Sequence, residues 1–271
     1  MVSFPISLPS CLRMVTLDKQ LILRIAKSRD IYETPELNET LFLHQLCITC
    51  ISPLLEYHQI EFLSLEQNSL TSMCGISQFP NLRYLKLDHN LLTCVCLDPF
   101  PRLEQFHASH NSITRLDFST KNENLKILKL CHNKLSMIPD VSNLESLEVL
   151  DVSRNIIHEL ALDRLRRPSS LKQLYLSPNP FISSVRNYRK SLLAHLACMS
   201  IHLTYLDTSF VTEEESAIAQ SPMNEIEIRK KFALGRKNEL ERRVSDFYDL
   251  HLMYDERGEK ICAEIREADC D

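Results

Sequence analysis

Cysteine and histidine are the residues in this sequence whose types and spacing could bind a metal. Cys47 and Cys50 have the C-x-x-C spacing, Cys94 and Cys96 are two residues apart, and Cys74 precedes that second pair. A structural zinc site needs four ligands that converge tetrahedrally, and no second C-x-x-C pair lies at the usual distance from the first. We therefore expect no metal and no cofactor, and thiols that are reduced and mostly buried.

Three histidines recur at a nearly constant interval, each directly before an asparagine. They are His89, His110 and His132. If each interval forms one repeat of a stacked structure, the rings should lie one strand spacing apart, about 5 Å, and such a column could bind a metal or respond to pH. The same position in other repeats is occupied by Gln67, Arg154 and Pro178. We favour the interpretation that this is a tolerant polar surface position.

The sequence contains no pattern typical of an enzyme. It has three glycines, so phosphate-binding loops rich in glycine cannot form, and neither an H-E-x-x-H nor a G-x-S-x-G motif is present. No base, nucleophile and orienting group, such as His107 with a cysteine, fall into one predicted pocket. We therefore predict that the protein is not an enzyme and has no catalytic residue.

The composition narrows the class of partner. The net charge of −5, without a local stripe of lysine and arginine, does not favour nucleic acid. No apolar run approaches the roughly 20 residues that span a bilayer, and the first residues do not resemble a secretory signal. The expectation is a cytosolic, monomeric chain that binds neither nucleic acid nor membrane.

The strongest signal is an internal repeat of the pattern L-x-x-L-x-L-x-x-N-x-L. Its six asparagines are Asn68, Asn90, Asn111, Asn133, Asn155 and Asn179. This period and pattern are the leucine-rich-repeat signature. Leu41 and Leu43 belong to a degenerate earlier unit with Leu46 in place of the asparagine. The predicted fold is an α/β leucine-rich-repeat solenoid, with a curved parallel sheet on the concave face, short helical or irregular convex segments, and helical caps at both ends.

The repeat also predicts which side chains are buried. The L-x-L core of each unit is a short strand, whose leucines point inward while the intervening residues face out. The third repeat has Phe106 and Ala108 in place of these leucines. Each buried asparagine can satisfy backbone groups of its own and neighbouring turns, because its side chain both donates and accepts hydrogen bonds.

Four segments follow from this frame. We expect an N-terminal segment and cap helix at residues 1–37, repeats at 38–180, a C-terminal cap at 181–215 and a charged, partly helical tail at 216–271. The cap helices have apolar residues at helical spacing, Leu17, Leu21 and Ile25 after Thr16 as N-cap, and then Tyr188, Leu192 and Leu196. In the tail the apolar stripe is Leu240, Val244, Phe247, Leu250 and Tyr254. This stripe either packs on the solenoid, belongs to a marginal tail helix, or forms a helix that binds a partner.

The outward side of the sheet is the candidate protein-binding surface, because solenoid curvature makes the concave face the default site. Its mixture of aromatic, aliphatic and charged groups is typical of an apolar patch within a polar rim. The candidate residues are Phe62, Glu66, Tyr84, Lys86, Asp88, Gln105, His107, Ile127, Lys129, Val149, Asp151, Gln173 and Tyr175.

Residues 17–215 resemble the dynein axonemal assembly factor 1 family of ciliary leucine-rich-repeat proteins. The segment IYETPELNETLFLH carries the likeness, through Tyr32, Thr34, Pro35, Leu37, Asn38, Leu41, Leu43 and His44. The resemblance implies a protein-binding scaffold for cilium or flagellum structure, which aids cytoplasmic pre-assembly of axonemal dynein arms together with dynein chains or co-chaperone assembly factors. The alternative is a generic intracellular adaptor, such as an Sds22-like phosphatase regulator, because that architecture is similar.

Overall fold

A computed structural model describes residues 15–26, 31–97, 100–117, 122–141, 143–165, 168–185 and 187–220. The predicted tail stripe, which begins at Leu240, lies outside the described residues. None of the helices in this part of the chain has the length and apolarity that a membrane crossing requires.

The described strands are short and recur along the chain. In order they are β1 (Val15–Leu17), β2 (Thr40–Phe42), β3 (Ile48–Ile51), β4 (Phe62–Ser64), β5 (Tyr84–Lys86), β6 (Cys94–Cys96), β7 (Gln105–His107), β8 (Arg115–Asp117), β9 (Ile127–Lys129), β10 (Val149–Asp151), β11 (Gln173–Tyr175), β12 (Tyr205–Leu206) and β13 (Ser209–Phe210). The α-helices are α1 (Lys19–Ala26), α2 (Tyr188–Cys198) and α3 (Glu213–Ala219). Short 3-10 turns lie at Pro35–Leu37, Leu55–Tyr57, Ile76–Gln78, Leu162–Leu165 and Pro180–Ser184.

One strand from each repeat contributes to a sheet in the order β2-β4-β5-β7-β9-β10-β11-β12-β13 among the described residues. Neighbouring strands are parallel except the final hairpin of β12 and β13. The return side of the solenoid carries 3-10 turns and two smaller sheets, β1-β3 and β6-β8, which the repeat pattern did not predict. The predicted leucine-rich-repeat solenoid is confirmed.

The core is a continuous column of apolar side chains that the strands and the return segments both supply. Leu128 and Leu130 are fully buried, as are the equivalent residues of the other repeats. In the third repeat Phe106 and Ala108 are also fully buried. A larger side chain at one position is therefore accompanied by a smaller one at the next, as close packing of an interior requires.

The asparagine ladder joins successive repeats through backbone groups. Asn133 Nδ2 donates to the carbonyls of Ala108 at 2.9 Å and Leu130 at 3.0 Å, and its Oδ1 accepts from Ile113 N–H at 3.0 Å. Equivalent bonds recur at Asn90 and Asn155. The predicted role of these asparagines is confirmed.

The residue before the ladder position adopts left-handed backbone geometry in every repeat except the last, where Pro178 precedes Asn179, and the sequence did not reveal this geometry. These residues are Gln45, Gln67, His89, His110, His132 and Arg154, with φ between 53° and 58°. Few residues other than glycine adopt this conformation, and histidine is among those in which it is enriched. The turn is repeated because the chain must reverse sharply enough for the following asparagine to enter the core.

The N-terminal cap differs from the prediction in its starting point. Residues 15–17 pair with β3 as a strand, so Thr16 is not an N-cap and Leu17 is buried in β1. The first turn is instead capped by Asp18, whose Oδ1 accepts from Leu21 N–H at 2.7 Å. Ile22 is fully buried on the helix, while Ile25 is only partly buried.

The segment that carries the family likeness forms a locked loop. Asn38 is 2% exposed, and its side chain accepts from Tyr32 N–H at 2.9 Å and donates to the carbonyls of Tyr32 and Thr34 at 3.0 and 3.1 Å. Tyr32 and Leu37 have exposed side chains. Asn38 therefore stabilises the conformation of this loop through hydrogen bonds to the loop backbone.

At the C-terminal end α2 buries Leu192 and Leu196, as its spacing predicted. The helix α3 follows the hairpin and crosses the predicted boundary at residue 215. Its capping box joins Thr212 and Glu215. Arg189 fastens α3 to α2, because its Nε lies 2.6 Å from Glu215 Oε1 and its guanidinium also donates to two backbone carbonyls.

The cysteines are more exposed than the sequence suggested. Exposed residues are Cys47, Cys50, Cys74, Cys94 and Cys96. The expectation of mostly buried thiols is wrong for the described part of the chain, since these residues lie on the return side, where β6 turns only Val95 inward. Within the described residues no group of three or more histidine, cysteine or acidic side chains is arranged to hold a metal.

Candidate protein-binding face

The parallel register arranges the outward side chains of the sheet in columns, which together form the surface called here the sheet face. The first column contains Phe62, Tyr84, Gln105, Ile127, Val149, Gln173 and Tyr205. In the second column lie Phe42, Ser64, Lys86, His107, Lys129, Asp151 and Tyr175. Glu66 and Asp88 follow at the same alternation. Every candidate residue therefore lies on one surface.

An aromatic cluster occupies the N-terminal end of the sheet face. The ring centroids of Phe42 and Phe62 are 5.2 Å apart, and those of Phe62 and Tyr84 are 6.0 Å apart. Lys86 Nζ lies 5.8 Å from the centroid of Phe62, within cation–π range. Phe42 is 46% exposed and was missed from the sequence, because it belongs to the degenerate repeat.

A second aromatic cluster lies at the C-terminal end. The rings of Tyr175 and Tyr205 are 5.4 Å apart, and Phe210 packs edge-on against Tyr205 at 5.2 Å. Phe210 is 76% exposed. Sequence reasoning missed Tyr205 and Phe210, since no repeat motif marks the hairpin to which they belong.

The centre of the face is a histidine between two lysines. The register places His107 beside Lys86 on one side and Lys129 on the other. Burial, reinforced by Lys129 and Lys86, lowers the pKa of His107 to about 4, so the ring is neutral at pH 7. Its Nε2 is buried and has no hydrogen-bond partner among the described residues. The positive charge at the centre therefore comes from the lysines alone.

Acidic side chains line one margin of the sheet face. They are Glu66 and Asp88, each two residues before a ladder asparagine. Burial raises the pKa of Asp88, whose Oδ1 accepts from the backbone N–H of Ser109 at 2.6 Å. Glu66 Oε1 lies 4.0 Å from Lys86 Nζ. A cavity of about 430 Å³ opens here, lined by His44, Glu66, Gln67, Asp88, His89, Ser109 and His110. Asp88 is largely committed to a backbone contact.

The candidates in the last two repeats interact with near neighbours. Asp151 Oδ1 accepts from the N–H of Ser153 at 3.0 Å and from its hydroxyl at 2.6 Å. The Tyr175 hydroxyl donates to Gln173 Oε1 at 3.1 Å. Burial raises the pKa of Tyr175, so this hydroxyl is a neutral donor. These contacts hold the polar groups of this end in place.

A ladder of alternating charge borders the first column and was not recognised in the sequence. Its members are Glu61, Arg83, Glu104, Lys126, Glu148 and Lys172, each one residue before a strand. Arg83 Nε donates to Glu104 Oε1 at 2.7 Å, and Lys126 Nζ lies 3.0 Å from Glu104 Oε2. The signal was available, because the sign alternates at one fixed offset in every repeat. Opposite charges are thus paired along this border.

The histidines before the asparagines form the predicted stack. Ring centroids of His89 and His110 are 4.3 Å apart, and those of His110 and His132 are 4.5 Å apart. The expected spacing of about 5 Å is confirmed. Burial and the neighbouring histidines lower the pKa of His110.

The fold and this repeated face define the chain as a leucine-rich-repeat protein. A family model described as "Leucine rich repeat" matches residues 123–181. An internalin of Listeria monocytogenes has the same fold, with a TM-score of 0.50 and 19% sequence identity over 74% of this chain and 62% of that chain.

More specific likeness comes from two curated relatives. A dynein axonemal assembly factor 1 homolog of Drosophila pseudoobscura pseudoobscura is 34% identical over 226 residues, which is 81% of this chain and 14% of the relative. Leucine-rich repeat-containing protein ODA7 of Chlamydomonas reinhardtii is 33% identical over 88 residues, or 32% of this chain and 19% of the relative. The chain belongs to the dynein axonemal assembly factor 1 family, and it spans less than a fifth of the length of either relative.

Proposed function

We propose that this chain is a non-enzymatic scaffold in axonemal dynein assembly, which holds a dynein chain or a co-chaperone assembly factor on its sheet face. It would act in the cytoplasm of ciliated or flagellated cells and be required for the structure of the cilium or flagellum. The name of the Drosophila relative supports the process. The composition of the sheet face supports the mode of action.

One observation carries the proposed binding mode. The sheet face combines half-buried apolar groups, such as Ile127 and Val149, with lysines and aromatic rings across successive repeats. Protein interfaces concentrate aromatic anchors within a polar rim, and a few central residues supply most of the affinity. A scaffold that presents such a surface on a rigid sheet could hold an unassembled subunit until its own partners arrive.

The test is a comparative capture from flagellated cells with tagged wild-type chain and the triple variant Tyr84→Ala, Lys86→Glu and Lys129→Glu. A matched control makes the same kinds of change away from the face, at exposed positions, with Tyr32→Ala, Lys134→Glu and Lys190→Glu. All three proteins must first give equal unfolding midpoints in urea.

Dynein heavy or intermediate chains should be recovered with the wild type and the control and lost from the triple variant. Equal recovery with all three proteins would place binding elsewhere. Recovery of phosphatase subunits in place of dynein would support the alternative, an Sds22-like adaptor. Sedimentation of the purified chain tests the expectation that it is a monomer.

A further inference from the structure

An apolar lane runs across the strands of the sheet face. We define it by the apolar and aromatic members of the first column, which Gln105 and Gln173 interrupt: Phe62, Tyr84, Ile127, Val149 and Tyr205. It crosses six strand spacings from β4 to β12, which corresponds to about 29 Å at about 4.8 Å per spacing. The direction of the lane matters, because an occupant must lie across the strands.

The lane offers side chains and no backbone groups. Strand amides are already used between repeats, as when Tyr84 N–H donates to the Glu61 carbonyl at 2.9 Å and Gln105 N–H to the Arg83 carbonyl at 3.0 Å. An extended segment lying here would lose water from its own amides and carbonyls without gaining partners. A helix satisfies its backbone internally, so it can cover the lane without that cost.

Charge distinguishes the two sides of the lane. On one side the charged residues of the ladder form ion pairs with each other, for example Lys172 Nζ with Glu148 Oε2 at 2.9 Å. On the other side Lys86 and Lys129 flank the neutral ring of His107. Lys86 approaches Glu66 no closer than 4.0 Å, with both side chains about one-third exposed. Asp151 lies beside Lys129 in the strand register, but its Oδ1 already accepts from the N–H and the hydroxyl of Ser153. The two lysines beside the centre of the lane are therefore only weakly compensated, and their complement is a row of carboxylates.

We propose that the lane seats an amphipathic α-helix of the partner protein, with its axis across the strands, its apolar stripe on the lane and acidic side chains facing Lys86 and Lys129. The lane length corresponds to about 19 helical residues at 1.5 Å each. A helix diameter of about 10–12 Å matches the width of three columns, about 13 Å. The inference rests on the proposed function, because it names the element that the sheet face binds.

The test uses photocross-linking in the full chain, mixed with extract from flagellated cells. A p-benzoylphenylalanine replaces Phe62 in one variant and Val149 in another, and mass spectrometry maps the partner residue attached to each. The two sites are four strand spacings apart, or about 19 Å. A helix in the lane predicts attachment points about 13 residues apart in one acidic segment, whereas an extended segment predicts about 6. If the Phe62 variant does not fold, Tyr84 replaces it and the helical separation becomes about 10 residues.

A second measurement tests the charges with a synthetic peptide of the mapped segment. Fluorescence anisotropy should show binding to the wild type that weakens about tenfold or more with Lys86→Glu and Lys129→Glu, since each reversal replaces an attraction by a repulsion. The pair Lys134→Glu and Lys190→Glu, on other surfaces, should leave the affinity unchanged. Equal weakening by both pairs would overturn the charge assignment.

The outcomes separate the two proposals. A separation of about 6 residues, or attachment only to residues 221–271 of this same chain, overturns the partner helix. Capture of dynein without cross-links from the lane overturns the helix and leaves the proposed function standing. A cross-linked acidic helix from a protein outside dynein assembly supports the lane and overturns the proposed function.

Discussion

Removal of one ladder asparagine tests whether the repeats are joined through these side chains. Asn133→Ala deletes four hydrogen bonds, but the four backbone groups are not affected equally. The carbonyl of Cys131, which lies 3.3 Å from Asn133 Nδ2, retains a bond from His110 N–H at 2.9 Å. The carbonyl of Ala108 retains a bond from Asn111 Nδ2 at 3.2 Å, and the carbonyl of Leu130 retains one from Asn155 Nδ2 at 3.0 Å. Ile113 N–H has no other partner among the described residues.

The expected loss follows from this difference. Each lost bond to a carbonyl that keeps another partner costs about 1 kcal/mol, and a buried N–H left without a partner costs about 1–3 kcal/mol. With three such carbonyls and one N–H, the free energy of unfolding should therefore fall by about 4–6 kcal/mol. This is a large share of the stability of an ordinary domain, about 5–15 kcal/mol.

Urea unfolding followed by circular dichroism measures the change. Lys134→Ala, at the next and exposed position, is the matched control and should change stability by less than about 0.5 kcal/mol. Asn111→Ala should cost less than Asn133→Ala, because Asn111 is only half-buried. A loss below about 1 kcal/mol for Asn133→Ala, or a loss equal to that of the control, would refute the assigned role.

Three further changes test other contacts. The pKa of His107 is about 4 in the folded state against 6.5 in the unfolded state. As pH falls the unfolded state therefore binds the proton first, and the free energy of unfolding drops by about 2 kcal/mol from pH 7 to pH 5. His107→Gln should remove that part of the decline, as measured by urea titrations at both pH values. Glu104→Gln should destabilise by about 1 kcal/mol or less, and the difference from wild type should shrink in 1 M salt because the pairs are partly exposed. Arg189→Lys should cost about 2 kcal/mol and make the α3 region more sensitive to limited proteolysis, as it loses the fork that joins Glu215 and two carbonyls.

Errors at the ends of the solenoid have a common cause. Residues 15–17 satisfy a helical apolar spacing when read alone, but pairing with β3 takes them out of the helix and moves the cap to Asp18. Apolar spacing indicates which residues can share a face, whereas the neighbouring segment decides which face is covered.

The sequence by itself determined the repeat, its strands, the inward leucines and the asparagine ladder. These are local requirements of each unit, so the same residue types recur in every repeat. It also indicated the columns of the sheet face and the histidine stack, since stacking equivalent positions follows directly from the period.

Only the tertiary structure decided how these columns behave. Phe42 joins Phe62 because the degenerate repeat keeps strand register, and His107 is neutral because burial and two lysines from adjacent repeats act on it together. The same assembly pairs the ladder charges and leaves Lys86 and Lys129 beside the apolar lane. Such properties depend on distances between residues far apart in the chain, which no single repeat contains.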